Sequence, residues 1–169
     1  MMHGLGLTLI VLSGAYFGLL PVCRMQRQLL LLSAWEDCLR SMAADLHSGG
    51  LPVRELLEQA GKRHDLLRPL FREMCSQLDW LGITAFSEVW ASCVAEQSQL
   101  LPREALGLVR LPGDVLGKYA PEDQLAVLYR SADGLHDLYG ELHGTLKTTA
   151  RVYLSCGLAA GMITGIALL

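Results

Sequence analysis

The sequence predicts an all-α protein tethered to a bilayer at both ends. Two transmembrane helices continue into an antiparallel helical stalk, and a cytosolic helical bundle is inserted between them. Three observations predict this. All 31 charged residues of the 169-residue chain lie between Arg24 and Arg151, which leaves 1–23 and 152–169 without a charged side chain. Two long stretches, one after the first apolar end and one before the second, hold apolar residues at alternating steps of three and four. No stretch alternates with the period of two that a half-buried strand requires.

The apolar ends come first. A hydrocarbon core about 30 Å thick takes roughly 20 apolar helical residues. Met1–Cys23 offers 23 uncharged positions and Val152–Leu169 offers 18, with Arg151 and Tyr153 placed to suit the interface. A cleaved signal peptide is the alternative for the first. MMHGLG has no Lys or Arg, however, no small-x-small site precedes Arg24, and Val22 is too bulky before Cys23 for a lipoprotein site. The expected division is therefore 1–23 as a membrane helix, 24–150 as the helical domain and 151–169 as a second membrane helix. Arg24 and Arg27 follow the first span, and Lys147 and Arg151 precede the second. Cations near spans stay in the cytoplasm, so both termini are expected outside and 24–150 in the cytosol. The five cysteines form no CxxC and fit a reducing compartment as small apolar residues. Gly157, Gly161 and Gly165 fall on one face of the second span, and Gly14 and Gly18 repeat the spacing in the first. In lipid, close backbone approach at such faces favours helix packing.

Next come the helices between the spans. Met25, Leu29 (or Gln28), Leu32, Trp35, Leu39, Met42 and Leu46 form one seven-residue pattern, and Leu125, Leu128, Ala132, Leu135, Tyr139, Leu142 and Leu146 form the other. Each runs into an apolar end without a turn signal. Ser48-Gly49-Gly50 ends the first helix, and Pro52 opens a helix to Arg63 with Val53, Leu56, Leu57 and Ala60 inward. Asp65 is expected to cap Leu66–Trp80, with Leu67, Leu70, Phe71, Met74 and Leu78 inward and Pro69 in the first turn. Gly82 breaks the chain. Thr84 is expected to cap Ala85–Gln97, whose inward face is Phe86, Val89, Trp90 and Cys93. Pro102 starts Arg103–Arg110, and Leu111-Pro112-Gly113 is expected to interrupt it. A short turn over Asp114–Tyr119 leads to Pro121, at the first position of the long final helix.

The chemistry is sparse. A net charge of −3 gives no basic excess for gripping nucleic acid. There is no GxxxxGK[ST], GxGxxG or GxSxG. His136 and His143 are seven residues apart, with no carboxylate set between them at metal-ligand spacing, and read as a solvated helix flank. Glu122 and Asp123 suit the helix dipole at the start of the final helix. No catalytic, cofactor or metal site is expected. Arg54, Lys62, Arg63, Arg68 and Arg72 give the second and third helices a mildly basic character, although Glu55, Glu58 and Asp65 offset much of it. An ordinary charged face is the favoured reading, and a docking surface for an acidic partner, with Arg63, Arg68 and Arg72 as its candidates, is the other. The alternative is a membrane-anchored regulatory or enzymatic module, for which His64, Asp65 and Glu58 would have to converge. A toxin-type membrane peptide is disfavoured, because most of the chain is an organised domain.

The order of motifs resembles the stage III sporulation protein AB family of endospore-forming bacteria over nearly the whole chain. Leu51-Pro52 with Leu56-Leu57 resembles its Pro-Leu helix start, and Phe86 to Trp90 its F-x-x-x-W step. Leu116-Gly117 with Gln124 resembles L-G-x-x-D-x-x-x-Q, and Tyr153, Gly157 and Gly161 resemble its Tyr-then-glycine signature. Ala120 stands where the family usually has Asp, and Leu111-Pro112 replaces a more helical stretch. The resemblance implies a non-enzymatic scaffold without cofactor in a secretion-like channel complex between mother cell and forespore. It would sit in the mother-cell membrane and dock the complex's cytosolic ATPase and other membrane subunits. Its cytosolic part would be similar to the cytoplasmic domains of the type II secretion platform protein.

Overall fold

The computed structural model of the chain describes residues 2–78, 85–97 and 100–167, with side chains described for 22–78, 85–97, 100–146, 148, 152 and 155. Among these residues all regular structure is helical: α1 (Met2–Gly49), α2 (Val53–Arg63), α3 (Arg68–Leu78), α4 (Phe86–Glu96), α5 (Arg103–Val115) and α6 (Pro121–Ala167). The chain divides into two compact units, Leu30–Tyr139 and Met1–Leu29 with Gly140–Leu169.

In the second of these units the backbone is helical from Met2 and through to Ala167. Thr145 and Thr148 donate their hydroxyls to the carbonyls of Glu141 (3.0 Å) and Gly144 (3.5 Å), and Ser155 donates to Val152 (3.0 Å). Such back-bonding satisfies hydroxyls within their own helix. Among the described residues no helix is long and apolar enough to cross a membrane. The side chains of the expected spans lie almost wholly outside those described, and so do Gly14, Gly18, Gly157, Gly161 and Gly165, so their packing is not described.

The unit Leu30–Tyr139 holds the core. Leu32, Trp35, Leu39, Met42 and Leu46 of α1 and Leu128, Ala132 and Leu135 of α6 are buried, as their spacing predicts. Arg40 Nη2 donates to Asp133 Oδ1 at 2.8 Å, and His136 Nδ1 lies 3.0 Å from Glu36 Oε1. Residue numbers rise along α1 as they fall along α6, so the two run antiparallel here. Arg40 also donates to Glu36 at 3.2 Å, and that hydrogen bond is the main reason its guanidinium pKa is raised. Leu31, Cys38 and Ala43 widen the buried face of α1 beyond one stripe, because α3 and α4 pack on it as well. Burial pushes the Cys38 thiol far up, which keeps it protonated and unreactive at neutral pH.

At the centre, Trp35 meets Phe71 edge-on at 5.9 Å and Trp90 at 6.2 Å, and Phe86 meets Trp90 at 5.8 Å. The F-x-x-x-W spacing places Phe86 and Trp90 one turn apart on α4, facing this cluster. Trp90 Nε1 donates to the Val109 carbonyl at 2.8 Å, and Trp35 Nε1 donates to Gln97 Oε1 at 3.2 Å. Both buried indoles thus have acceptors.

The turns explain the other motif. Gly50 (φ +54°) closes α1 through its N–H to Leu46 O at 3.1 Å. Gly117 (φ +75°) turns the chain between α5 and α6. Buried Gln124 holds that turn, donating Nε2 to Tyr119 O at 2.6 Å and accepting from Gly117 N at 3.4 Å. Ala120 O accepts the first α6 bond from Gln124 N at 3.1 Å, and an alanine there offers no side-chain cap.

Three expectations are corrected. The third helix begins at Arg68, with residues 65–67 in a turn, and Asp65 pairs with Arg68 instead of capping. A start at Leu66 would put Pro69 where an N–H is required, whereas at the second helical position its missing donor costs little. It is described as far as Leu78, and residues 79 and 80 lie outside the described residues. The fourth helix begins at Phe86 with Ala85 at the N-cap and no side-chain cap bond; Gly82 and Thr84 lie outside the described residues. The break at Leu111-Pro112-Gly113 does not occur, and α5 runs on to Val115. Pro112 sits in the last turn, where it removes one ladder bond, and Leu116 N rejoins Pro112 O at 2.9 Å. A Cβ at Gly113 would stand 2.3 Å from Trp90 Cδ1, so the bare backbone is what lets the indole lie against α5.

Ser131 on α6 is fully buried, and its hydroxyl has no partner among the described residues. An unsatisfied buried hydroxyl costs roughly 1–3 kcal/mol. Ser131→Ala is therefore expected to raise the midpoint of a thermal melt followed by far-UV circular dichroism. A lowered midpoint would show that the hydroxyl is satisfied.

Candidate functional site

The three arginines of the basic face reach different environments. Arg63, in the last turn of α2, donates Nη1 to Asp45 Oδ2 of α1 at 2.7 Å and Nη2 to Gln59 Oε1 at 3.2 Å. Arg68 turns back to the end of α2, donating Nε to Gly61 O at 3.3 Å and pairing with Asp65. A cation there satisfies a C-terminal helix carbonyl and complements the dipole. Arg72 is exposed and makes no ion pair among the described residues, and the same holds for Lys62.

Arg68 and Arg72 line an open groove between α2 and α3 with a volume of about 420 Å³. Leu57 and Phe71 are buried residues in its lining, Cys75 is half-buried, and Lys62 and Glu58 complete the rim. Gly61 brings the two helices together, since a Cβ there would stand 3.2 Å from Phe71 Cβ. Arg63 is not part of the lining. Of the three sequence candidates, two share the groove, and Arg72 is the one that makes no ion pair among the described residues.

A second groove of about 540 Å³ lies between α3 and α4, lined by Pro69, Leu70, Glu73, Glu96 and Gln97. Glu73 accepts a hydrogen bond from Gln77 Nε2 at 2.9 Å, and neither Glu73 nor Glu96 forms an ion pair among the described residues. The Cys93 thiol is pushed up by burial and then by the charges of Glu96 and Glu73. Sequence reasoning missed this acidic rim. Glu73 and Glu96 sit on different helices, and no spacing within one helix joins them.

The residues that an enzymatic reading would need do not converge. His64 Nε2 lies 3.1 Å from Ser41 Oγ, Glu58 Oε1 accepts from Arg54 Nε at 3.3 Å, and Asp65 pairs with Arg68. Ser41 Oγ also donates to Cys38 O at 2.8 Å. Among the described residues no three His, Cys, Asp or Glu side chains gather as metal ligands would. The arrangement offers two open, oppositely charged grooves on either side of α3.

The sequence model of the stage III sporulation protein AB family matches residues 3–169. No curated protein and no solved structure matches the chain.

Proposed function

Because the chain belongs to the stage III sporulation protein AB family, we propose that it is a non-enzymatic membrane scaffold of a secretion-like sporulation complex. In this reading 1–23 and 151–169 cross the mother-cell membrane facing the forespore, and 24–150 lies in the cytosol. There it docks the complex's cytosolic ATPase, while the spans meet other membrane subunits through Gly14, Gly18, Gly157, Gly161 and Gly165. The helical head would serve as the type II secretion platform protein's cytoplasmic domains do.

The observation that carries this reading is continuity. The two helices that bracket the head, α1 and α6, extend without a break into the two ends that hold no charged residue. A helix satisfies its own backbone donors and acceptors, which lipid demands. The hydroxyls of Thr148 and Ser155 near the second end are bonded to their own helix. In this reading the α2–α3 groove supplies the docking chemistry, with Arg72 open to an acidic partner and Arg68 in the same lining.

The test has two arms on membranes of sporulating cells: a carbonate wash, and, on unwashed membranes in mild detergent, a pull-down with full-length protein as bait. The chain is expected to stay with the membrane pellet in the first and to capture the ATPase in the second. Reversing Arg72 to Glu is expected to weaken capture more than reversing Arg63 or Arg68, whose charges already have in-chain partners. A chain that washes into the supernatant overturns the membrane reading, and undiminished capture by all three variants overturns the basic-groove docking.

A further inference from the structure

We infer that two copies of this chain pair face to face through α3, the basic flank of each meeting the acidic flank of the other. The inference rests on reading the head as an interaction module, but not on the ATPase being its partner.

The charges are arranged for it. At about 100° per residue, the exposed positions of α3 form a ridge whose midline passes close to Ser76. Arg72 lies toward one side of that ridge, where the α2–α3 groove carries it and Lys62. Glu73 lies toward the other side, where the α3–α4 groove carries it and Glu96. None of the four makes an ion pair among the described residues. One surface thus presents two open cations and two open carboxylates, divided by a single helix.

Symmetry then selects the partner. A two-fold axis along α3 sets two α3 helices parallel and carries each basic flank onto the partner's acidic flank. This is how flanking charges pair across a parallel two-stranded coiled coil. Such an interface is isologous and closes as a dimer. A two-fold axis perpendicular to α3 in the same plane would set like charges against each other, so the charge pattern fixes the orientation. An acidic partner alone would match only the α2–α3 groove and leave Glu73 and Glu96 unanswered. A second copy answers all four charges. Because Arg72 serves both, a second copy and an acidic partner exclude each other at that groove.

The parallel arrangement puts Ser76 of one copy next to the same residue of the other. The experiment uses the full-length protein in detergent micelles, with Cys23→Ser and Cys75→Ser to remove the more accessible thiols, under mild oxidation. Ser76→Cys is expected to form a disulfide-linked dimer, and Ser92→Cys, exposed on α4, is not. Linkage at Ser76→Cys is expected to fall at least about fivefold in ~0.5 M salt, which screens surface pairs. Lys62→Glu with Arg72→Glu, or Glu73→Lys with Glu96→Lys, each added to Ser76→Cys, is expected to abolish it. An equal mixture of those two variants is expected to restore it. Far-UV circular dichroism verifies that each variant is folded.

Equal linkage at Ser76→Cys and Ser92→Cys, as association through the membrane spans alone would give, overturns the inference. So does failure of the mixture to restore linkage. If Ser76→Cys does not link while Arg72→Glu abolishes ATPase capture, the groove belongs to the ATPase and this inference falls alone. If Ser76→Cys links and no ATPase is captured, the docking reading falls and the pairing stands.

Discussion

Trp90→Ala is expected to remove about 3–5 kcal/mol of stability, the range for deleting a large buried aromatic. Trp90 is fully buried and meets Trp35, Phe71 and Phe86, so it joins α4 to both α1 and α3. Its N–H to Val109 O fastens α5 as well. Truncation therefore loses packing against three helices and the donor at a buried carbonyl together. Trp90→Phe keeps a ring but not the donor, and about 1–3 kcal/mol is expected for the orphaned acceptor, plus a smaller term for the lost volume. Urea melts of the full-length protein, followed by far-UV circular dichroism, measure both. A loss under about 1 kcal/mol for the alanine variant would mean that the aromatic cluster does not hold the head together.

The second expected result has a sign opposite to intuition. Alanine at a helix-interior glycine usually stabilises by about 1 kcal/mol. Gly113→Ala is expected instead to destabilise by about 1–3 kcal/mol, as overpacked cores do. The added Cβ would stand 2.3 Å from Trp90 Cδ1, 2.4 Å from Cγ and 2.8 Å from Cβ. These are the root of the side chain and the near edge of its ring, which cannot swing aside as a flexible tip would. The check is a double-mutant cycle. With Trp90→Ala in place the obstruction is gone, and Gly113→Ala is expected to regain its ordinary stabilising sign. Destabilisation of equal size in both backgrounds would place the cause elsewhere than the indole.

The same pair shows what a sequence conveys and what it does not. Pro112-Gly113 carries a local signal for a helix break, and local signals are all that one stretch can express. The structure carries α5 through it, and the indole that requires a bare backbone at Gly113 comes from Trp90, far off in the chain. By contrast, the apolar rows of α1 and α6, the helix starts after Pro52 and Pro102 and at Pro121, and the stop at Gly50 are local patterns with local causes, and the structure keeps them. The rows are buried from Leu29 to Leu46 and from Leu128 to Leu135, and half-buried at Met25, Leu125, Tyr139, Leu142 and Leu146. The basic face was half legible. Composition reveals Arg63, Arg68 and Arg72 alike. It does not reveal that Asp45 holds the first, or that Gly61 O and Asp65 hold the second. Glu73 and Glu96 were invisible as a pair, since only the packing of α3 beside α4 brings them together. The Gln124 clasp on the Gly117 turn gives L-G-x-x-D-x-x-x-Q a physical meaning that spacing alone did not supply.

The edge-on contact of Trp35 and Trp90 at 6.2 Å, with both indoles shut away from water, has an optical consequence. Two such chromophores in van der Waals range couple their transitions, and an apolar surrounding shifts their emission to the blue. Any loosening of α1 against α4 would separate the rings and wet them at once. The head thus carries an intrinsic spectroscopic reporter of its own integrity, readable in micelles or vesicles without attaching a dye.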